Sequence, residues 1–348
     1  MIGRSKPEAA LREVADGVFA YLQGDGSWGW SNAGLVTSRG EAMLVDTLYD
    51  LDLTRRMLDA MRRRTADAAN IETVVNTHAN GDHCWGNQLV AGADIVASRR
   101  AAEEMRELPP SLMKTLVRAS RLATAAGGMR WATGLLARIG LTRATSFADA
   151  AAFVADKFGK FDFEGIELTP PTTTFEGALT LQVGDKQVHV VEVGPAHTRG
   201  DAIVHVPADG VVFTGDILFI GSHPILWEGP VENWIAACDL ILALDVQTIV
   251  PGHGPVTDKA GVQRVKEYWQ WLLGETRERF EAGMSSEDAA RDIAAGSLGP
   301  SAGWIDAERI AVNVDTIHRQ LSGVKRPADP LDGLARMARL GAARARAR

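Results

Sequence analysis

Between His78 and His83 the chain reads His-Ala-Asn-Gly-Asp-His, so two imidazoles, a carboxamide and a carboxylate fall within six positions. A carboxylate taken out of water needs a counter-charge, and two imidazole lone pairs beside it need something to bind. A divalent cation meets both needs. Asn80-Gly81 is also an ordinary turn signal, so this stretch alone reads either as a metal-binding loop or as a surface turn. Three later stretches repeat the pattern. His197 stands in Gly194-Pro195-Ala196-His197-Thr198, Asp216 in Thr214-Gly215-Asp216, and His253 in Pro251-Gly252-His253-Gly254. Each follows a short apolar run and has a glycine close by that permits a tight turn.

Those apolar runs predict the elements that must carry the site. Val14, Val18, Phe19, Tyr21 and Leu22 mark paired strands, and further strands are predicted at 33–37 and 42–45, the last closed by Asp46. A helix over 51–63 places Leu53, Met57, Leu58 and Met61 on one face. The β-branched run at 71–75 predicts a buried strand delivering His78, with a short helix at 88–91 and a strand at 94–98 behind it. Strands at 166–168, 179–183 and 188–193 follow, the last running into His197. A hairpin over 202–213 turns at Ala208-Asp209-Gly210 and ends at Asp216, and a helix over 231–244 precedes the strand 248–250 that leads to His253. Residues 259–282, 286–296 and 305–322 are helical by periodicity. The Ala- and Arg-rich residues 325–348 read as a flexible basic tail.

The segment 99–160 breaks this strand-and-loop rhythm and is predicted to be a helical insertion. Between Leu108 and Ser146 it carries Lys114, Arg118, Arg121, Arg130, Arg138 and Arg143 and no acidic residue. These side chains read as a solvated face, or as part of a lid that attracts an anionic substrate.

With 348 residues and 46% hydrophobic content, the chain can bury a large core. Its net charge of −7 argues against a nucleic-acid partner, which calls for a basic face. Cys84 and Cys238 are too few for a disulfide framework or a four-thiolate zinc site. Neither a secretory signal nor an apolar run of membrane-spanning length is visible, so the expectation is a soluble cytoplasmic protein that acts on a small molecule.

In their order and context the four motifs resemble the metallo-β-lactamase-fold hydrolases, whose signature is His-x-His-x-Asp-His, a later His, a bridging Asp and a final Gly-His. The resemblance covers about residues 11–258 apart from the insertion. It implies an α/β fold, a four-layer αβ/βα sandwich of two mixed β-sheets flanked by helices, with a metal site at one edge. Residues 1–258 would form that domain and 259–324 a C-terminal helical extension. By matching positions, His78 and His197 would hold a first metal, Asp82, His83 and His253 a second, and Asp216 would bridge them. The cofactor implied is zinc, one or two ions, with manganese or iron as alternatives. One position departs from the signature. Asn80 stands where the second His belongs, and its neutral amide oxygen is a weaker zinc donor than imidazole. The first site is therefore expected to be less fully occupied, with Asn80 either ligating through oxygen or hydrogen-bonding a water there.

The function that follows is a metal-dependent hydrolase in which a metal-bound hydroxide attacks an ester, thioester, lactone or amide of a moderately large apolar substrate. Alternatives are a polyketide-type cyclase or thioesterase using the metals as Lewis acids, and a non-catalytic binding protein on the same scaffold. Asp82 is a candidate proton acceptor, and His223, in Gly221-Ser222-His223-Pro224, a candidate catalytic residue or a plain loop histidine. Asp46 reads as a residue that orients a ligand His, or as a turn residue. Trp28 and Trp30, in a Gly-rich loop, resemble the mobile flap of relatives that contacts substrate, or form an anchored loop. Trp269, Trp271 and Trp304 on the late helices offer a homodimer contact.

Overall fold

The computed structural model describes residues 9–24, 26–125, 142–324 and 329–347. Its first half is a seven-stranded sheet in sequence order: β1 (Ala10–Ala15), β2 (Val18–Leu22), β3 (Ala33–Ser38), β4 (Glu41–Val45), β5 (Ile71–Val75), β6 (Asp94–Ser98) and β7 (Thr173–Phe175). The strands up to β4 pair antiparallel, and β4 through β7 pair parallel. The second sheet has the order β12-β11-β10-β9-β8, built from β8 (Ala178–Val183), β9 (Lys186–Glu192), β10 (Ala202–Val206), β11 (Val211–Phe213) and β12 (Thr248–Val250). Here only β11 and β12 run parallel.

Alternation of apolar residues along these strands makes two apolar faces per sheet. Facing each other are Val18, Val36, Met43, Val45, Val75 and Val96 of the first sheet and Val188, Val190, Val204, Val206, Val211 and Phe213 of the second. Each such valine buried contributes roughly 1.5 kcal/mol or more. The outer face of the first sheet, with Leu35, Leu44, Val74 and Ile95, is covered by Met57, Leu58 and Met61 of α1 (Leu51–Arg64). Asp50 caps that helix by accepting from Leu53 N. On the outer face of the second sheet, Ile203, Val212 and Ile249 pack against Trp234, Cys238 and Ile241 of the helix Val231–Ala243 and Val262, Val265 and Trp269 of the helix Lys259–Glu281. Helix, sheet, sheet, helix is the four-layer order expected.

Four local expectations are corrected. Residues 166–168 form no strand, because side-chain amides take their backbone instead: Gln88 Oε1 accepts from Glu167 N at 2.6 Å and Asn87 Nδ2 donates to Thr169 O at 3.2 Å. The helix expected from 305 begins at Ile310, because Ile305 pairs with the 221–223 loop and Asp306 adopts a left-handed φ of 59°. The tail is not frayed over Pro330–Ala347, which is a helix with Leu334, Met337 and Leu340 buried and Arg339 paired to Asp149 of the insertion at 3.0 Å. Trp269 is not available for a dimer contact, being wholly buried against Trp234 with ring centroids 4.5 Å apart.

The insertion is helical at Arg99–Glu104, Pro110–Ala125 and Thr142–Phe158. Lys114 and Arg118 both pair with Glu164, at 2.5 and 2.7 Å, and Arg121 donates to Gly159 O. Arg130 and Arg138, and the side chain of Arg143, lie outside the described residues. No helix among the described residues is long and apolar enough to cross a membrane.

Candidate metal centre

The polar loops follow the C-terminal ends of β4, β5, β11 and β12 and the β9–β10 connection, where the two sheets meet at one edge. Backbone bonds lock these loops together: Ala202 N donates to Thr77 O at 2.8 Å, Gly252 N to Gly215 O at 2.8 Å, and Asn32 N to Gly252 O at 2.7 Å. Two glycines are required by the crowding. A Cβ at Gly252 would stand 2.1 Å from Asp216 Oδ1, and Gly215, at φ +50°, would press a Cβ to 2.6 Å from Thr77 Oγ1.

These loops gather His78, Asp82, His83, His197, Asp216 and His253 around one carboxylate. Asp216 Oδ1 lies 3.0 Å from His83 Nε2, and Oδ2 lies 3.3 Å from His197 Nε2, 3.4 Å from His253 Nε2 and 3.7 Å from His78 Nε2. Asp82 Oδ2 is 3.4 Å from His253 Nε2. Donor atoms sharing one tetrahedral ion at about 2.0–2.1 Å sit roughly 3.3 Å apart, and the spacings match. His78 Nε2, His83 Nε2 and Asp216 Oδ1 are buried, yet none has a hydrogen-bond partner. The 3.0 Å approach of His83 to Asp216 is a charge contact without hydrogen-bond alignment. Such convergent, unsatisfied donor atoms fit a divalent metal ion. Two overlapping sets stand out, His78, His83 and Asp216, and Asp82, His83 and His253.

Hydrogen bonds at the far ring nitrogens aim three imidazoles. His83 Nδ1 meets Asp46 Oδ2 at 2.8 Å. Thr77 donates to both oxygens of Asp46 from its backbone N and Oγ1, each at 2.7 Å, and Thr77 Oγ1 is 3.0 Å from His78 Nδ1. Asp46 thus orients one histidine directly and a second through a hydroxyl, in the manner of carboxylate–histidine pairs at metal sites. Its own backbone sits at φ 62°, a left-handed conformation that Asp tolerates and that turns the carboxylate away from the strand. His197 Nδ1 contacts Ile225 O at 2.6 Å. A carbonyl only accepts, so Nδ1 carries the proton and Nε2 is the free lone pair. Asn80 Nδ2 lies 2.9 Å from that Nε2 and donates to it.

Electrostatics divide the cluster. Burial pushes Asp216 up, but His253, His83 and His78 outweigh it and hold the carboxyl well below its usual range. Asp82 is likewise lowered against burial, by the close approach of His253 and by His83. Burial pulls His83 down, but Asp216 and Asp46 raise it well above the ordinary imidazole value, and Asp216 and Asp82 do the same, less strongly, for His253. His78 and His197 are lowered by burial, which the attraction of Asp216 does not offset.

Other expected site residues lie elsewhere. His223 is fully buried with Nδ1 3.3 Å from Tyr268 Oη and its ring edge-on to Trp304, and burial and nearby Arg309 push it down to about 3. No described contact joins it to the histidine cluster. Trp28 and Trp30 are 7% and 6% exposed and anchored, Trp28 on the insertion by Phe153 and Phe158 and Trp30 just beyond it by Phe161 at 4.9 Å. Their loop borders the cluster nonetheless, since Ser31 Oγ donates to Asp82 O at 2.5 Å and Ser31 bridges His253.

Two supporting groups escaped sequence reasoning. Asp201 accepts from Thr198 N, Thr198 Oγ1 and Ala196 N and so shapes the loop that presents His197; burial carries its carboxyl up to about 8 against those bonds. The Thr-x-x-Asp spacing was its signal. Phe219, whose ring lies 4.8 Å from that of His253 and within 3° of parallel, gave no signal beyond being apolar.

The fold and this edge site define a class of metal-dependent β-sandwich proteins, and the sequence agrees. It matches the metallo-beta-lactamase superfamily over residues 26–253, and the chain belongs to that superfamily. Among curated proteins it is 26% identical over 94 residues to the acyl-coenzyme A thioesterase MBLAC2 of Bos taurus, covering 25% of this chain and 33% of that protein. It is 31% identical over 104 residues to the hydroxyacylglutathione hydrolase of Maricaulis maris (strain MCS10), covering 30% and 38%. The matches thus span little more than a third of those relatives. Similar solved structures include the stereoselective inverting sec-alkylsulfatase Pisa1 from Pseudomonas sp., with TM-score 0.60 and 13% identity over 92% of this chain and 52% of that one. Another is a metallo-beta-lactamase from Pontibacter korlensis, with TM-score 0.51 and 16% identity over 76% and 99%. At such identities these likenesses speak to fold alone.

Proposed function

We propose that this protein is a metal-dependent hydrolase that cleaves an acyl ester or thioester, with a thioester the first choice. The observation that carries the reading is the convergence of four imidazoles on Asp216, with Asp82 beside His253 and buried ligand atoms left unpartnered. His83, Asp82 and His253 would hold one ion with Asp216, and His78 and His197 a second, weaker one beside Asn80. A divalent ion there supplies Lewis acidity toward a carbonyl oxygen and lowers the pKa of water. Thioesters are favoured because the curated relatives are named for acyl groups carried on thiol cofactors.

The chain's own residues set the rest. Ala79, Asn80, Gly81 and Asp82 are half-buried while the imidazoles are buried, so substrate approaches along the 79–82 loop. Asp82, held ionised and open on that side, takes the proton of the attacking water. The Asn80 amide, released from His197, donates to the oxygen on which charge develops. Trp30, Phe161, Phe163, Tyr49 and Trp85 pack ring to ring in the core beside that loop, a rigid apolar support for the side from which an acyl chain would arrive. The water oxygen joins the acyl carbon, the carbon–sulfur bond breaks, and the thiol leaves with a proton. The test is thiol release from a series of acyl-coenzyme A and acyl-glutathione thioesters, with chromogenic esters and lactones alongside. Release that stops with chelator and returns with zinc, with product mass raised by one water, is expected. Hydrolysis indifferent to chelator, or none on any acyl donor, would overturn the proposal.

A further inference from the structure

His253 differs from the other three imidazoles. His83, His197 and His78 are each aimed by a contact at Nδ1, from Asp46, Ile225 O and Thr77. His253 Nδ1 is buried and has no hydrogen-bond partner among the described residues. Phe219 is stacked on its ring at 4.8 Å and 3°, and Ile220 N donates to His253 O at 3.0 Å, which ties the two loops together. Phe219 is itself clamped. The guanidinium of Arg309 lies 5.1 Å from its ring centroid and 4.3 Å from that of Trp28. Arg309 is 1% exposed, and it is held by His223 O at 2.7 Å and Asp306 Oδ2 at 3.2 Å. A cation on an aromatic face is strongest when desolvated, as here.

We propose that Arg309 is a positioning residue for the metal centre: through Phe219 it sets the plane of His253, whose Nδ1, alone among the four clustered imidazoles, has no hydrogen-bond partner among the described residues. Arg309 precedes the helix Ile310–Leu321, beyond the superfamily match that ends at residue 253. The C-terminal helical extension therefore completes the centre instead of merely covering the sheet. Outer partners that fix a ligating histidine typically govern metal affinity by 10–100-fold, and the Phe219–Arg309 stack takes that role here. The inference rests on reading the cluster as a metal centre, but on no particular substrate.

The test compares wild type, Arg309→Met, Arg309→Lys and Ile293→Ala. Ile293 is buried on another helix of the same extension, Ser286–Ala295, so its truncation loosens the extension while keeping the cation and both rings, and it reports general loosening. Zinc affinity is read by competition with a chromophoric chelator, ligand geometry by the absorption of the cobalt-loaded protein, and folding by the Tm of the metal-free protein. Arg309→Met should weaken zinc binding about ten-fold or more and shift the cobalt spectrum, and Arg309→Lys, which keeps the cation, should recover most of both. Ile293→Ala should lower Tm with zinc affinity and spectrum unchanged. Wild-type affinity in Arg309→Met, or losses in Ile293→Ala that match it at equal Tm, would overturn the assignment. If Arg309→Met fails to fold, Phe219→Leu carries the same expectation. Failure of the wild type to bind zinc would instead overturn the metal reading itself.

Discussion

The two halves of the histidine cluster share Asp216 but differ in charge. On one side stand Asp82, His83 and His253, with Asp46 behind His83, so carboxylates hold both histidines above their ordinary pKa. On the other stand His78, Asn80 and His197, whose imidazoles are lowered by burial and whose third member is a neutral amide. On the proposed reading, the charged half would offset the cost to a cation of leaving water, while the neutral half would have only the shared Asp216 to do so. On the proposed metal reading, the four motifs would therefore make one strong and one weak position, with a single residue, Asn80, tipping the balance.

Making the halves alike should have the largest effect. Asp82→Asn removes the carboxylate that sets the charged half apart, and we expect its zinc affinity to fall by about 100-fold or more, beyond the usual effect of an outer partner, with hydrolysis lost in parallel. Chelator competition and thiol-release assays check this. Retention of wild-type affinity would mean the two halves do not differ as argued. Asp46→Asn should act more weakly, since Asp46 touches His83 and Thr77 and not the shared centre. An affinity loss of about 10–100-fold is expected, with the metal-free fold intact by circular dichroism.

The smallest effect lies outside both halves. His223 is held down to about 3, chiefly by burial and then by Arg309, while an unfolded histidine titrates near 6.5. As pH falls below about 6.5 the unfolded chain takes up this proton first, so stability is whole above that pH and declines toward pH 3. At about 1.4 kcal/mol per pKa unit the group contributes at most a few kcal/mol to that slope. His223→Gln should flatten the stability profile between pH 6.5 and 4 in urea titrations while leaving zinc affinity in place. An unchanged slope would remove the buried, neutral histidine from the account.

How much of this was legible in the sequence follows from the range of the forces involved. The strands, α1 and the ligand loops were visible because apolar periodicity and Gly-flanked polar residues are local signals. Asp46 could be suspected from its place at a strand end, though its left-handed φ could not. The irregular backbone at 166–169 has no local signal because Gln88 and Asn87, 79 and 82 residues before their partners, supply its hydrogen bonds. The helix Pro330–Ala347 was misread because composition suggested solvent, whereas Leu334, Met337 and Leu340 recur on one face and bury against the insertion and its neighbours. Chain proximity to Asp216 leaves His223 readable as catalytic or as a plain loop histidine, and only the fold shows that the chain turns at Gly221 and buries it against Tyr268. Arg309 and Phe219 carried no motif, because a stack of cation, ring and imidazole drawn from three distant segments has no spacing to read.

The most direct test of the central claim is the number of zinc ions retained per chain after dialysis, measured by elemental analysis for the wild type and for Asn80→His. Unequal halves predict one firmly held ion in the wild type and two in Asn80→His. Two firmly held ions in the wild type, or no gain in Asn80→His, would contradict it.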